Sequence, residues 1–324
     1  MDVSVCIVSW NTKELLKDCI ASIKTKTSGL QYEIIVVDNA SSDGSAEMVV
    51  KEFPDCRLIE STTNSGFARA NNRAAAEASS QYILYLNPDT RLVTNAVYGM
   101  FSFLEANEGV AAVGCKLVDE FGAIQYTCAS TFPTAFNEFS ALFFLNRLFP
   151  MSNVFSAREL DYWNHEDSRE VNCLSGACMM VRRSVVDELG GFDERLFMYA
   201  EDIDMCLRIL RLGWKIYYLS SETIIHVECA SSSKHKDRQF ASIRPYASNY
   251  YFIKKNFGAI QAESFRFMVL LGSLFRLLVM TVSFPITLRR LGNDRENWGQ
   301  VFRKHQTLLL WSLGLQKHSN LVRP

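Results

Sequence analysis

The sequence predicts an α/β fold: a mostly parallel sheet with helices on both faces. Three observations carry that prediction. Apolar runs without polar alternation recur early in the chain, as in "VSVCIVSW", "YEIIVVD", "YILYL" and "VAAVGC", which is how strands buried on both faces read. The segments between them repeat apolar residues every three or four positions, the period of a helix lying on a sheet. Polar, turn-forming residues follow several of these strands, at the place where open α/β sheets bind their ligands.

Taken in order, the first strand ends at Trp10-Asn11, and Asn11-Thr-Lys-Glu14 is a capping-box pattern opening a helix with Leu15, Leu16, Cys19, Ile20 and Ile23 on one stripe. The second strand runs into the turn-forming "DNASSDGS". A helix is predicted over residues 45–52, a short strand at "CRLIES", a helix over "GFARANNRAAAEAS", a strand at "YILYL" and a helix over residues 94–107. From Phe121 to Asn172 aromatic and polar residues mix without a period, as in a substrate-facing insertion. Order returns with an apolar strand after Ser175-Gly176-Ala177 and a short helix capped by Ser184 that stops at Gly190-Gly191. "KIYYL" and "ETIIHV" read as two further strands.

With 324 residues, 48% of them apolar, the chain can bury a large core. Its net charge of −1 and the lack of a basic run argue against a nucleic-acid partner. Nine scattered cysteines without a CxxC pair read as reduced core thiols of a cytosolic protein. The start lacks a basic segment and long apolar core of the signal-peptide kind. Near the end, "FRFMVLLGSLFRLLVMTVSFPITLRR" is divided by Arg276 into uncharged stretches of 9 and 12 residues, against the ~20 that a spanning helix wants. Arg266, Arg289 and Arg290 beside it, with Trp311 further on, suit a helix lying at the membrane surface. A buried hairpin or an oligomer interface is the other reading.

In "MYAEDIDMCLRI" three carboxylates open a helical pattern. On a helix Asp204 and Arg208 form an i,i+4 pair, which predicts a solvated face. Glu201 lies about 60° from Asp204 and can share that face, whereas Asp202 lies about 200° away, among Met205, Cys206 and Ile209. A carboxylate turned to an apolar side needs a partner or lines a cleft. Asp38 and Asp89 also end apolar strands. Asp38 suits either a turn or hydrogen bonds from a nucleobase or ribose. Asp89 suits a turn or, joined by His226, a divalent cation.

Six short motifs occur in order: Asp38-Asn39-Ala-Ser-Ser-Asp43-Gly-Ser, Asn64-Ser-Gly66-Phe67 with Asn71-Asn72, Asn87-Pro88-Asp89, Ser175-Gly176-Ala177, Gly190-Gly191-Phe192-Asp193-Glu194, and Glu201-Asp202-Ile-Asp204. Over about residues 3 to 230 the chain resembles glycosyltransferase family 2, in its bacterial rhamnosyltransferase-like branch acting on lipid-linked sugars. The resemblance implies a GT-A fold, an inverting mechanism and a nucleotide-diphosphate sugar donor, with dTDP-rhamnose first and UDP-galactofuranose, UDP-glucose and UDP-GlcNAc as alternatives. Carried over, it implies that Asn11, Asp38, Asn39, Gly66, Asn71, Asn87 and Asp89 bind the donor and that Ser175, Gly176 and Glu201 face the acceptor. Asp202 would be the general base, and Asp89 with His226 would hold Mg2+ or Mn2+. Asn87 stands where the family's metal motif has its first aspartate.

The implied acceptor is a polyprenyl-diphosphate-linked sugar of O-antigen-like synthesis, reached by a cytoplasmic enzyme attached peripherally to the inner face of the cell membrane. The expected division is residues 1–115 for the nucleotide sugar, 116–235 for the acceptor and catalysis, and 236–324 for amphipathic helices that attach to membrane or to another copy. A non-catalytic nucleotide-sugar-binding protein is the rival of another class.

Overall fold

The computed structural model describes residues 1–227, 238–288 and 295–315, in two compact units. One comprises Met1–Phe132 and Trp163–Lys234, the other Pro133–Tyr162 and His235–Pro324. Arg289, Arg290 and residues 316–324 lie outside the described residues.

The first unit opens with β1 (Val3–Ser9), α1 (Lys13–Lys26), β2 (Tyr32–Asp38), α2 (Ser45–Glu52), β3 (Arg57–Glu60), α3 (Phe67–Ala76) and β4 (Tyr82–Leu86). There follow β5 (Thr90–Leu92), α4 (Ala96–Ala106), β6 (Val110–Val118) and the short β7 (Ala129–Ser130). The helical unit then contributes α5 (Ala135–Leu142) and α6 (Leu145–Leu148). The first unit resumes with β8 (Arg169–Glu170), β9 (Cys173–Leu174), β10 (Cys178–Arg182), α7 (Arg183–Leu189), α8 (Glu201–Arg211) and β11 (Lys215–His226). The helical unit ends in α9 (Arg238–Phe257), α10 (Ala259–Leu288) and α11 (Arg295–Ser312).

The sheet order is β3-β2-β1-β4-β10-β6-β11-β5, with β8 also on β11. Strands β3, β2, β1 and β4 are parallel, as are β6 and β11, while β10 and β5 run against their neighbours. Every residue of β1 and β4 is buried, which accounts for their unbroken apolar composition. Leu16, Cys19, Ile20 and Ile23 form the buried stripe of α1, with Leu16, Ile20 and Ile23 each worth roughly 1.5–3 kcal/mol of hydrophobic burial. The eight cysteines among the described residues are free, and all but Cys56 are buried.

Local expectations fail in instructive places. Helix α1 has no capping box: Thr12 is its N-cap residue without a side-chain cap bond, and Asp43 Oδ2 accepts from Lys13 N at 3.0 Å instead. Helix α7 starts at Arg183 rather than under a Ser184 cap, though it stops as expected on left-handed Gly190. "KIYYL" and "ETIIHV" are one strand, β11, with a register shift between Leu219 and Thr223 that lets it bulge and keep pairing with β6.

In the helical unit, Ala259–Ser283 is long and apolar enough to cross a membrane, with a mean hydropathy of 1.8. Its arginines are used inside the protein. Arg276 donates to the carbonyls of Leu142 and Ala141 at 2.7 and 2.6 Å, closing the end of α5, and its guanidinium lies 3.5 Å from the Phe144 ring centre. Arg266 donates to Ser312 O at 2.9 Å at the end of α11. Trp311 is wholly buried against Tyr250 rather than placed at a membrane surface.

Candidate active site

The site lies at the carboxyl end of the parallel strands. Ser9 pairs with Asp38 across β1 and β2, so the loops after both strands start level with each other. Asn11 adopts a left-handed conformation (φ 55°) and its Oδ1 accepts from Ser42 N at 2.7 Å, stitching the two loops together. Asp38 is buried. Its Oδ2 takes Ser41 N at 2.9 Å, and its Oδ1 makes no hydrogen bond among the described residues. A buried carboxylate oxygen without a donor is costly unless a ligand supplies one. Burial works against charge on Asp43, but the Ser45 hydroxyl and the main-chain N–H groups of Lys13 and Ser45 outweigh it and hold that carboxyl below its ordinary range.

Asn39 serves the next loop. Its side chain donates to Asn64 Oδ1 at 3.0 Å and Gly66 O at 3.3 Å, and accepts from Ser65 N at 2.9 Å. Gly66 has φ +86° and lies so close to Phe197 that a Cβ would stand 2.6 Å from its carbonyl oxygen. Phe67 N donates to that same oxygen at 2.8 Å. The Asn71 amide donates to Phe67 O at 3.1 Å, within its own helix. Its neighbour Asn72, which sequence reasoning did not single out as a site residue, clamps the Gly-Gly-Phe turn by accepting from Phe192 N at 2.7 Å and donating to Phe192 O at 2.9 Å.

Asp89 and His226 meet at the sheet edge because His226 pairs with Thr90 across β11 and β5. Asp89 Oδ1 lies 3.4 Å from His226 Nε2 and makes no hydrogen bond among the described residues, although it is buried. Asn87 Nδ2 is 3.5 Å from the same nitrogen. On the far side of the ring, His226 Nδ1 lies 2.9 Å from Gln125 Oε1. Gln125 is a contact that sequence reasoning missed. Cys19 Sγ packs beneath this loop, 3.6 Å from Asn87 O, and burial pushes its thiol up to about 12. Among the described residues no three His, Cys, Asp or Glu side chains cluster as a metal site, so a cation here would take Asp89 and His226 and complete its shell from a ligand.

Ser175-Gly176-Ala177 joins this loop to the acidic turn. Asn87 N donates to Ala177 O at 3.0 Å, and Gly176 N donates to Asp202 Oδ2 at 2.9 Å. Asp202 Oδ1 takes Ile203 N at 2.8 Å. Tyr199 and Ala200, just before α8, both have positive φ (70° and 64°). The expected solvated face is overturned. The Asp204–Arg208 pair exists, at 2.8 Å, but Asp204 is 0% exposed and Glu201 is buried too. Arg208 donates to Leu189 O at 3.0 Å and Gly191 O at 2.8 Å, so the Gly190-Gly191 turn covers that side of α8. Asp202 is the least buried of the three carboxylates.

Known proteins resemble this chain in fold and in sequence. A mannosyltransferase from Pyrobaculum calidifontis, solved in complex with GDP-Man and Mn2+, superposes with a TM-score of 0.60 at 16% identity, over 97% of this chain and 88% of its own. The fold is GT-A. An N-acetylglucosaminyl-diphospho-decaprenol L-rhamnosyltransferase of Mycobacterium tuberculosis is 25% identical over 260 residues, covering 77% of this chain and 83% of the relative. Rhamnosyltransferase WbbL of Escherichia coli is 26% identical over 250 residues, covering 74% and 87%. The Glycosyl transferase family 2 model matches residues 4–190, more than half of the chain, and the protein thus belongs to glycosyltransferase family 2.

Proposed function

We propose that this glycosyltransferase transfers L-rhamnose, with inversion, from dTDP-β-L-rhamnose to a hydroxyl of a polyprenyl-diphosphate-linked sugar at the cytoplasmic face of the cell membrane, in the synthesis of a surface polysaccharide such as O-antigen. The observation that carries it is the set of carboxylates at one end of the sheet. Asp38 Oδ1 and Asp89 Oδ1 are buried without hydrogen bonds among the described residues, and Asp202 is tied to the Asp89 loop through Gly176 and Ala177. The relatives named above supply rhamnose and the diphospho-lipid acceptor.

In this reading the half comprising residues 1–115 binds the donor. Asp38 accepts hydrogen bonds from base or ribose in a pocket edged by Asn11. Asn39, Gly66 and Asn71 shape its wall, and Asn87 and Asp89 approach the diphosphate. Asp89 and His226 would hold Mg2+ or Mn2+, which when bound neutralises charge on the departing diphosphate. Residues 116–235 receive the acceptor beside Ser175, Gly176 and Glu201. Asp202 takes the proton of the acceptor hydroxyl as its oxygen bonds to the anomeric carbon, opposite the breaking bond to the diphosphate.

Residues 236–324 would attach the enzyme to the membrane. Along α10, Ile260, Phe267, Leu274, Leu278 and Val282 are exposed and spaced by seven or four residues, one apolar stripe. Such a stripe suits a helix lying at a bilayer surface, and it would serve pairing with a second copy if sedimentation of the detergent-free protein gave a dimer.

The test is a donor panel with the purified protein, membrane-extracted lipid acceptors and mass-spectrometric detection. Transfer from dTDP-rhamnose is expected, and lowered by about 10²–10⁴-fold in Asp202→Asn. Preferential use of a UDP-sugar would replace the donor, and absence of transfer from every donor would sink the reading.

A further inference from the structure

Gln125 and His226 form a closed ring of two hydrogen bonds. Gln125 Nε2 donates to the main-chain oxygen of His226 at 2.8 Å, and Gln125 Oε1 faces His226 Nδ1 at 2.9 Å. A carbonyl oxygen only accepts, so the amide nitrogen must face it and the amide oxygen must face the ring. That oxygen also only accepts. Nδ1 therefore carries a proton, and in the neutral ring Nε2 keeps its lone pair, facing Asn87 and the Asp89 carboxylate. Reversing the amide would set oxygen against oxygen and is excluded by the same count.

Gln125 is itself held. Strand β6 runs parallel beside β11, and a tight hairpin after Val118 brings the chain back, with Asp119 N donating to Ala123 O at 2.8 Å and Gln125 N to Leu117 O at 2.9 Å. The carbonyl of Gln125 accepts from Cys128 N at 3.0 Å. The side chain thus leaves a backbone pinned at two points, opposite a histidine pinned in the sheet.

We infer that Gln125 is a positioning residue that fixes His226 as the Nδ1–H tautomer and so presents Nε2 as a ligand beside the Asp89 carboxylate. The second half rests on the metal reading given above; the tautomer does not. Outer partners of ligating histidines work in this way, and their loss typically lowers metal affinity or activity about 10–100-fold.

The experiment uses full-length protein labelled with 15N-histidine, with His226 assigned by its loss in His226→Ala. Long-range 1H–15N spectra recorded without metal should show the Nδ1–H tautomer in the wild type and in Gln125→Glu, which keeps an acceptor at Nδ1. Gln125→Leu should move His226 toward the Nε2–H form with its thermal midpoint little changed. Persistence of the Nδ1–H form in Gln125→Leu overturns the inference. Calorimetric titration of Mn2+ in the presence of dTDP should show affinity about 10–100-fold lower in Gln125→Leu, with Gln125→Glu between it and the wild type. Affinity lost in Asp89→Asn and His226→Ala but unchanged in Gln125→Leu overturns the positioning role. If Asp89→Asn and His226→Ala also leave Mn2+ affinity unchanged, the metal reading fails, and the spectra still decide the tautomer.

Discussion

The main-chain N–H of Gly176 donates to Asp202 Oδ2 at 2.9 Å, so the proposed base is aimed by the turn that also holds the Asp89 loop. Asp202→Asn should keep one acceptor oxygen for Gly176 N, giving up the acceptor that Oδ1 offers Ile203 N at the start of α8, a local loss that leaves the rest of the fold intact. Transfer should fall by about 10²–10⁴-fold, the usual contribution of a general base. Calorimetric binding of the nucleotide should be unchanged. Transfer at the wild-type rate would remove Asp202 from that role.

Gly66→Ala sets a methyl 2.6 Å from Phe197 O at a φ of +86°. The expected cost is about 1–3 kcal/mol, read as a lower thermal midpoint, together with weaker transfer because Phe197 leads into the acidic turn. Gly190→Ala, left-handed at φ 69° and ψ 28° in open space, sets a floor for that cost, since Gly66 at ψ 173° lies where essentially only glycine is at ease. Equal losses in the two variants would show that the Phe197 contact is unimportant.

Removing one partner of the buried Asp204–Arg208 pair should cost about 3–5 kcal/mol, whereas a solvated pair would cost under about 1 kcal/mol. Urea unfolding of Asp204→Asn and Arg208→Met measures the difference. A midpoint close to wild type in both would contradict the burial found here.

In the helical unit, burial raises the Glu138 carboxyl to about 7, against the pull of Lys304, Arg158 and Arg276. Burial, with Arg276 and Lys304, lowers His305 to about 4. The two act in opposite directions. Folded Glu138 holds its proton where the unfolded chain has lost it, so its contribution falls as pH rises from about 4.5 to 7. Folded His305 lacks the proton that the unfolded chain binds, so its contribution rises from about pH 4 to 6.5. Each effect is on the order of 3 kcal/mol. Measured against the wild type, stability should therefore rise with pH across the shared window in Glu138→Gln and fall in His305→Gln. Parallel curves for all three proteins would refute the assignment.

Leu278 and Val282 lie on the exposed stripe of α10. Replacing both with Gln should weaken binding to anionic liposomes by tenfold or more, at roughly 1–2 kcal/mol for each apolar side chain withdrawn from the bilayer. Unchanged flotation with liposomes would argue against a membrane role for this face.

The sheet was legible because β1 and β4 are buried on both faces and must be apolar throughout. Strand direction was not, since an apolar run such as Cys178–Arg182 has the same composition whichever way it runs. Asp38, Asp89 and Asp202 could be picked out because strand ends and helix starts leave local signs. Gln125 and Asn72 leave none: their partners are 101 and 120 residues away, and an amide in a loop or on a helix has no distinguishing period. Helical phase located the Asp204–Arg208 pair correctly but could not show that the Gly190-Gly191 turn covers it.

Tyr199 and Ala200 are two successive left-handed residues, neither of them glycine. Positions of this kind give up about 1–3 kcal/mol each, and glycine would recover part of it. That relief gives up a buried methyl at Ala200 and a side chain with its own contacts at Tyr199, and glycine would also loosen the turn that sets the direction of Asp202. The strain held at these two positions is thus spent on the aim of one carboxylate, and glycine at Ala200 should give a slower catalyst whatever it does to heat resistance.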